Sequence, residues 1–163
     1  MDLLDRMLEH DRWTTDRILA TCRELPQWRL HTHFGVGHAT IDTTLRHMIR
    51  SVQVWTDLMC RRPVAPPDAV EAAGPDALPI LFHVLYAEFA NCARECRDEG
   101  RLDQIFLDTR DEPPTAEVYG SAIAHVITHN MHHRAEILHM LGKLNVPDLP
   151  QGDVLTWDKQ AKR

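Results

Sequence analysis

Four stretches of this 163-residue chain repeat apolar side chains at helical spacing, and no stretch alternates convincingly as a strand does. In residues 2–25, Leu4, Leu8, Ile18, Leu19 and Cys22 fall on one side at about 100° per residue, and Pro26 stops the run. Residues 26–38 carry two glycines and a proline and read as loop. Residues 40–61 place Ile41, Leu45, Met48, Val52, Trp55 and Met59 on one arc. A Pro-rich connection, PVAPPDAVEAAGPDALP, leads to a third run over residues 77–99, which ends before Gly100. The fourth run spans residues 115–144 and is closed by Pro147. TAEV at its start resembles a capping box with Thr115 as N-cap, although Val118 stands where Glu is usual. The short QIFLDT is compatible with an extended strand, and the tail with Trp157 with a short last turn. Four such runs without an internal repeat predict an all-α fold, a four-helix bundle in a single domain of residues 1–163 with long inter-helix connections.

Charge and composition narrow the function. A net charge of −6 disfavours a nucleic-acid surface, which needs clustered Lys and Arg; the short basic run over residues 159–163 does not overturn that. No segment approaches the ~18 apolar residues of a membrane span. The first residues, MDLLDRMLEHDR, place acids where a signal peptide needs a basic region, so a cytoplasmic protein is expected. Of the four cysteines only Cys92 and Cys96 are close in sequence. Their spacing is not the C-x-x-C redox pattern, and helical neighbours four apart fit disulfide geometry poorly, so reduced thiols are expected.

The compositional outlier is histidine, 11 in all. Five fall in HVITHNMHHRAEILHML: His125, His129, His132, His133 and His139. On a helical wheel His129 and His133 lie about 40° apart, within the stripe of Ala122, Val126, Ile137 and Met140. His132 and His139 lie about 60–80° off on the polar side, and His125 is at the margin. Imidazoles at i and i+4 on one helical face can share a metal, the spacing of H-E-x-x-H zinc sites. Asn130 replaces the Glu of that motif, so its general base is absent. An inward imidazole is costly unless hydrogen-bonded or coordinated. His47 borders the apolar arc of the second run and is a third candidate; a hydrogen-bonded boundary histidine is its simpler reading. Three histidines from two helices would leave a coordination position open.

These residues also carry a resemblance. TLRHMIRSVQVW, with a histidine eight residues before a tryptophan, resembles the second-helix pattern of the DinB/YfiT-like family. HVITHNMHHRAEILHMLGKLNVPDLPQGD resembles its last-helix signature, and DRWTTDRIL its first-helix segment. The resemblance covers nearly the whole chain. It implies a four-helix bundle, usually a homodimer, with a divalent metal (Zn, Ni or Fe) on three histidines; the matching positions are His47, His129 and His133. Family activities include transfer of low-molecular-weight thiols, thiol-dependent isomerisation and proposed metal-dependent hydrolysis. The chain departs from the pattern at Ala135 and Glu136, where Gly-Gln is common, at Val52 and Gln53, where an acid is often found, and at Thr15 in place of Asn.

Glu136 lies about 20° from His129 on the wheel. It is a candidate acceptor for a ligand imidazole N–H, a fourth ligand or a general base; a solvated carboxylate paired with Lys143 or Arg134 is the plainer alternative. Asp11 and Thr15 interrupt the apolar face of the first helix, as pocket lining or as a polar layer. Ile127, Met131 and Leu138 lie opposite His129, and a helix apolar on two sides suits a homodimer. Two functions follow as expectations: a metal-dependent enzyme acting on small molecules, a thiol-S-transferase or hydrolase, or a non-catalytic metal-binding, stress-associated dimer. An open coordination position facing a pocket separates the first from the second.

Overall fold

The computed structural model describes residues 1–161; Lys162 and Arg163, the end of the basic tail, lie outside them. The fold is all-α, and the four long helices expected from the periodicity are present. They are α1 (Leu3–Arg23), α3 (Ile41–Met59), α5 (Ala77–Asp98) and α6 (Tyr119–Lys143). Short helices α2 (Gln27–Leu30), α4 (Asp68–Ala72) and α7 (Val154–Ala161) lie in the connections and the tail. The chain divides into two compact units, residues 1–47 with 130–163, and residues 48–129. Helices α3 and α6 contribute residues to both.

The first unit buries Leu8, Ile18, Leu19, Ile41, Leu45, Ile137, Met140 and Leu141. The spacing of these residues on their helices is the amphipathic pattern read from the sequence. Helix α1 starts on Asp2, whose carboxylate accepts the Asp5 N–H at 2.9 Å. Helix α3 starts on a reciprocal box. Thr40 Oγ1 accepts the Thr43 N–H at 3.1 Å, and Thr43 Oγ1 accepts the Thr40 N–H at 3.2 Å. Helix α6 ends with Asn145 in the left-handed region (φ 54°). The Val146 N–H reaches Leu141 O and the Asn145 N–H reaches Gly142 O, so the last carbonyls are satisfied. The tail returns to α1: α7 and α1 touch, Trp157 is buried, and His10 Nε2 bonds Gly152 O at 2.8 Å.

The second unit is aromatic at its centre. Phe82, Tyr86 and Phe89 stack along α5, with centroids 5.1 and 5.5 Å apart. One expectation is corrected here. TAEV does not open the fourth helix; Thr115–Val118 is strand β2, antiparallel to β1 (Ile105–Asp108), with Ile105 opposite Val118. Thr and Val favour a pleated edge, and without a Glu three residues on there is no reciprocal cap to hold a helical turn. Phe106 and Asp108 point inward and Ile105 and Leu107 outward, the period-2 pattern of a half-buried strand. Phe106 packs against Tyr119, the first residue of α6, at 4.8 Å.

Candidate metal centre

The candidate centre and a buried ion pair both lie within the first unit. Asp11 is fully buried on α1, and its carboxylate pairs with the Arg134 guanidinium of α6. Asn130 Nδ2 donates to the other Asp11 oxygen at 2.8 Å, and Arg134 Nη1 donates to Thr15 Oγ1 at 3.1 Å. Asp11 and Thr15 are thus a polar layer, and they fix the α6 residue next to His133. Breaking a buried pair of this kind strands a charge away from water.

Three imidazoles meet in the same unit. His47 on α3, His133 on α6 and His38 in the loop before α3 offer nitrogens that all lie within 4.8 Å of one another. The His38 and His47 rings stack at 3.7 Å; His47 and His133 meet edge to face at 4.9 Å. His133 is buried, His47 half-buried and His38 exposed, so the cluster opens to solvent on the His38 side.

Glu136 supports the cluster from one turn along α6. The His133 Nδ1–H donates to Glu136 Oε2 at 2.7 Å, and Oε1 lies 3.2 Å from His132 Nε2. A carboxylate on Nδ1 fixes the tautomer and turns Nε2 toward an ion. Glu136 does not pair with Arg134, whose guanidinium goes to Asp11. His132, His133 and Glu136 are themselves close enough to hold a cation.

The loop is shaped for this contact. Gly37 has φ +50°, and a Cβ there would lie 2.7 Å from Glu136 Cδ and 2.8 Å from Oε1. Ala39, on the other side of His38, also adopts a left-handed φ of 72°. The Phe34 N–H closes the turn on Ala39 O at 2.8 Å. A backbone bent this way aims the His38 ring back over α3.

Electrostatics keep the imidazoles ready to coordinate. Burial, with the nearby His38 and His133, pushes His47 down to about 4, against a smaller opposing pull from Glu136. Burial and His133 lower His38 as well. Partial burial alone would raise Glu136, but the His133 hydrogen bond and the surrounding imidazoles hold it below the usual carboxylate range. Neutral imidazole is the form that binds a metal.

Of the residues singled out by periodicity, His47 and His133 are brought together. His129 lies on α6 in the other unit, half-buried with its Nδ1 shielded from water and its ring 5.4 Å from His125. His125 is exposed and edges onto Trp55 at 5.2 Å; His139 is exposed. His38 was missed, because a loop residue has no helical period to place it. Its available signal was the flanking pattern G-V-G-H-A, in which glycines mark a left-handed turn directly before a capped helix.

The first, second and last long helices of this all-α chain carry a buried Asp–Arg pair, and His38, His47 and His133 form a cluster of the kind that could hold a metal ion. The family profile described as DinB family matches residues 1–150, and the chain belongs to that family. A search of curated proteins finds no match.

Proposed function

We propose that this protein holds one divalent cation, with Zn, Ni or Fe the candidates, on His38, His47 and His133, and uses it as an enzyme on small molecules. The observation that carries the reading is the set of three imidazole nitrogens within 4.8 Å of one another. Three neutral nitrogen donors suit a borderline cation and leave a position for a further group. When bound, such an ion supplies Lewis acidity for activating a thiol or water. The chain's own residues do the rest. Glu136 holds the His133 Nδ1 proton and orients the ring, Asp11 and Arg134 fix that stretch of α6, and the exposed His38 side admits a small molecule. These features favour transfer of a low-molecular-weight thiol to an electrophile, or hydrolysis, over a closed structural site.

His129, one turn before His133, remains the alternative third ligand that the family pattern supplies. Homodimer formation belongs to the same reading and is supported by Met131, an exposed apolar residue on α6. A cytoplasmic location is part of it too; among the described residues no helix is long and apolar enough to cross a membrane. The test is metal analysis of tag-free protein, with thiol-transfer and hydrolysis assays on the metal-loaded form. Loss of metal in His47→Ala and His133→Ala supports the site. Full metal content in both variants removes it, and metal without turnover on any thiol or ester probe removes the enzyme reading alone.

A further inference from the structure

A cavity of about 740 Å³ lies in residues 48–129, where the end of α3 meets β1. That size is within the range of small-molecule sites, roughly 300–1,000 Å³. Leu58, Pro63, Ile105, Phe106 and Leu107 give it apolar walls, and its lining holds two guanidiniums and no carboxylate. The turn after α3 sets one wall. Helix α3 ends at Met59, Arg61 is left-handed (φ 54°), and the Arg62 N–H reaches back to Asp57 O at 3.0 Å. The buried Asp57 carboxylate accepts the Ala65 N–H at 2.9 Å, which fixes the stretch that carries Pro63. Strand β1 sets the other wall. Its outward residues Ile105 and Leu107 stay 58% and 55% exposed, two large apolar side chains in water at the cavity.

The two arginines differ in what they already hold. Arg62 donates from Nε to Asp57 Oδ1 and from Nη2 to Glu88 Oε2, both at 2.5 Å, so its charge is matched. Arg61 donates from Nε to the Tyr119 hydroxyl at 3.3 Å, a neutral acceptor on a buried side chain. Among the described residues no carboxylate pairs with Arg61. Its two Nη nitrogens are left for an acceptor, and a planar guanidinium suits the two oxygens of a carboxylate. An exposed ion pair alone adds little affinity, so a small acid such as acetate would bind weakly. Covering Ile105 and Leu107 supplies the remainder through apolar burial. The ligand therefore needs both a carboxylate and an apolar body. The walls favour an aliphatic body, since Phe106, the aromatic residue among them, is buried with its ring already against Tyr119.

We propose that this cavity binds an amphipathic monocarboxylate, an aliphatic chain of medium length ending in one carboxylate. Arg61 takes the carboxylate, and the chain lies over Ile105 and Leu107 against Leu58 and Pro63. Arg62, engaged by Asp57 and Glu88, holds the turn and does not contact the ligand. A second copy of the chain seated on β1 would cover the same apolar residues, but it would leave the unmatched charge of Arg61 unexplained. All of the residues invoked belong to the second unit, so the site is independent of the metal reading.

The probe is octanoate, titrated into the full-length protein and followed by calorimetry and by the methyl NMR signals of Ile105 and Leu107. The expected result is saturable binding at one site with shifts at both residues. Octanamide, which keeps the chain without the charge, and acetate, which keeps the charge without the chain, should each bind about tenfold or more weakly. Arg61→Gln should weaken octanoate about tenfold and leave octanamide unchanged. Leu107→Ser should weaken both. Both substituted side chains are exposed, and circular dichroism of each variant confirms that it is folded. The proposal is overturned by octanoate binding that does not saturate, by octanamide binding as tightly as octanoate, or by full octanoate affinity in Arg61→Gln. It is also overturned by self-association of the free protein that Leu107→Ser abolishes, which would make this face a contact between copies.

Discussion

The clustered histidines of the first unit and the buried cysteines of the second show burial acting in opposite senses. Desolvation disfavours the charged form of any group. For His47 that means the neutral imidazole, the form with a lone pair to donate, and burial pushes it down to about 4. For Cys92 and Cys96 it means the protonated thiol, the form that does not bind metal; burial raises both, and it pushes Cys22 up to about 12. Partial burial therefore favours the metal-binding form of the histidines and the protonated form of the cysteines. The supports differ as well. Glu136, Arg134 and Asp11 hold the imidazoles in place by charge and hydrogen bonding, whereas the thiols share a unit with the Phe82–Tyr86–Phe89 aromatic row.

The largest test of that contrast is the scaffold itself. Asp11→Ala leaves Arg134 buried without its carboxylate and should cost about 3–5 kcal/mol in urea unfolding. Cys96→Ala, which removes only a buried thiol, should cost about 1 kcal/mol. Similar losses in the two variants would break the distinction between charge-held histidines and cysteines in apolar surroundings. Next comes the carboxylate behind His133. Glu136→Gln should weaken metal binding by about 10–100-fold, read by competition with a chelating dye, with little change in unfolding midpoint.

A smaller effect is expected at the loop. Gly37→Ala strains a left-handed backbone and crowds Glu136, so stability should fall by about 1 kcal/mol or more, with metal affinity falling too. A pH effect is expected in metal-stripped protein. His47 titrates near 4 in the fold and near 6.5 when unfolded. Between those values the unfolded chain binds more protons, so stability is full above about 6.5, falls through the window and is lost below about 4. Thermal midpoints against pH should show this slope, and His47→Gln should flatten it.

Much of the fold was legible because helices announce themselves by period. The apolar arcs of residues 2–25, 40–61 and 77–99 end within two residues of α1, α3 and α5. The fourth was read four residues too early, since Thr115 resembled a cap; the structure places the reciprocal box at Thr40 and Thr43, where a second threonine does the work of Glu. Within the centre, His47 and the one-turn relation of His133 to Glu136 could be seen on a wheel. The Asp11–Arg134 pair could not, because 123 positions separate partners that only folding brings together. His38 was hidden for a different reason: its position depends on left-handed backbone at Gly37 and Ala39, which no periodicity encodes.

Metal content of tag-free protein, wild type against single alanine variants, tests the central claim most directly. Wild type should carry about one divalent ion per chain. His47→Ala and His133→Ala should lose it, His38→Ala should weaken it more than His129→Ala does, and His139→Ala should leave it unchanged. A stronger loss in His129→Ala than in His38→Ala would move the third ligand to α6, and full metal retention in both His47→Ala and His133→Ala would contradict the account.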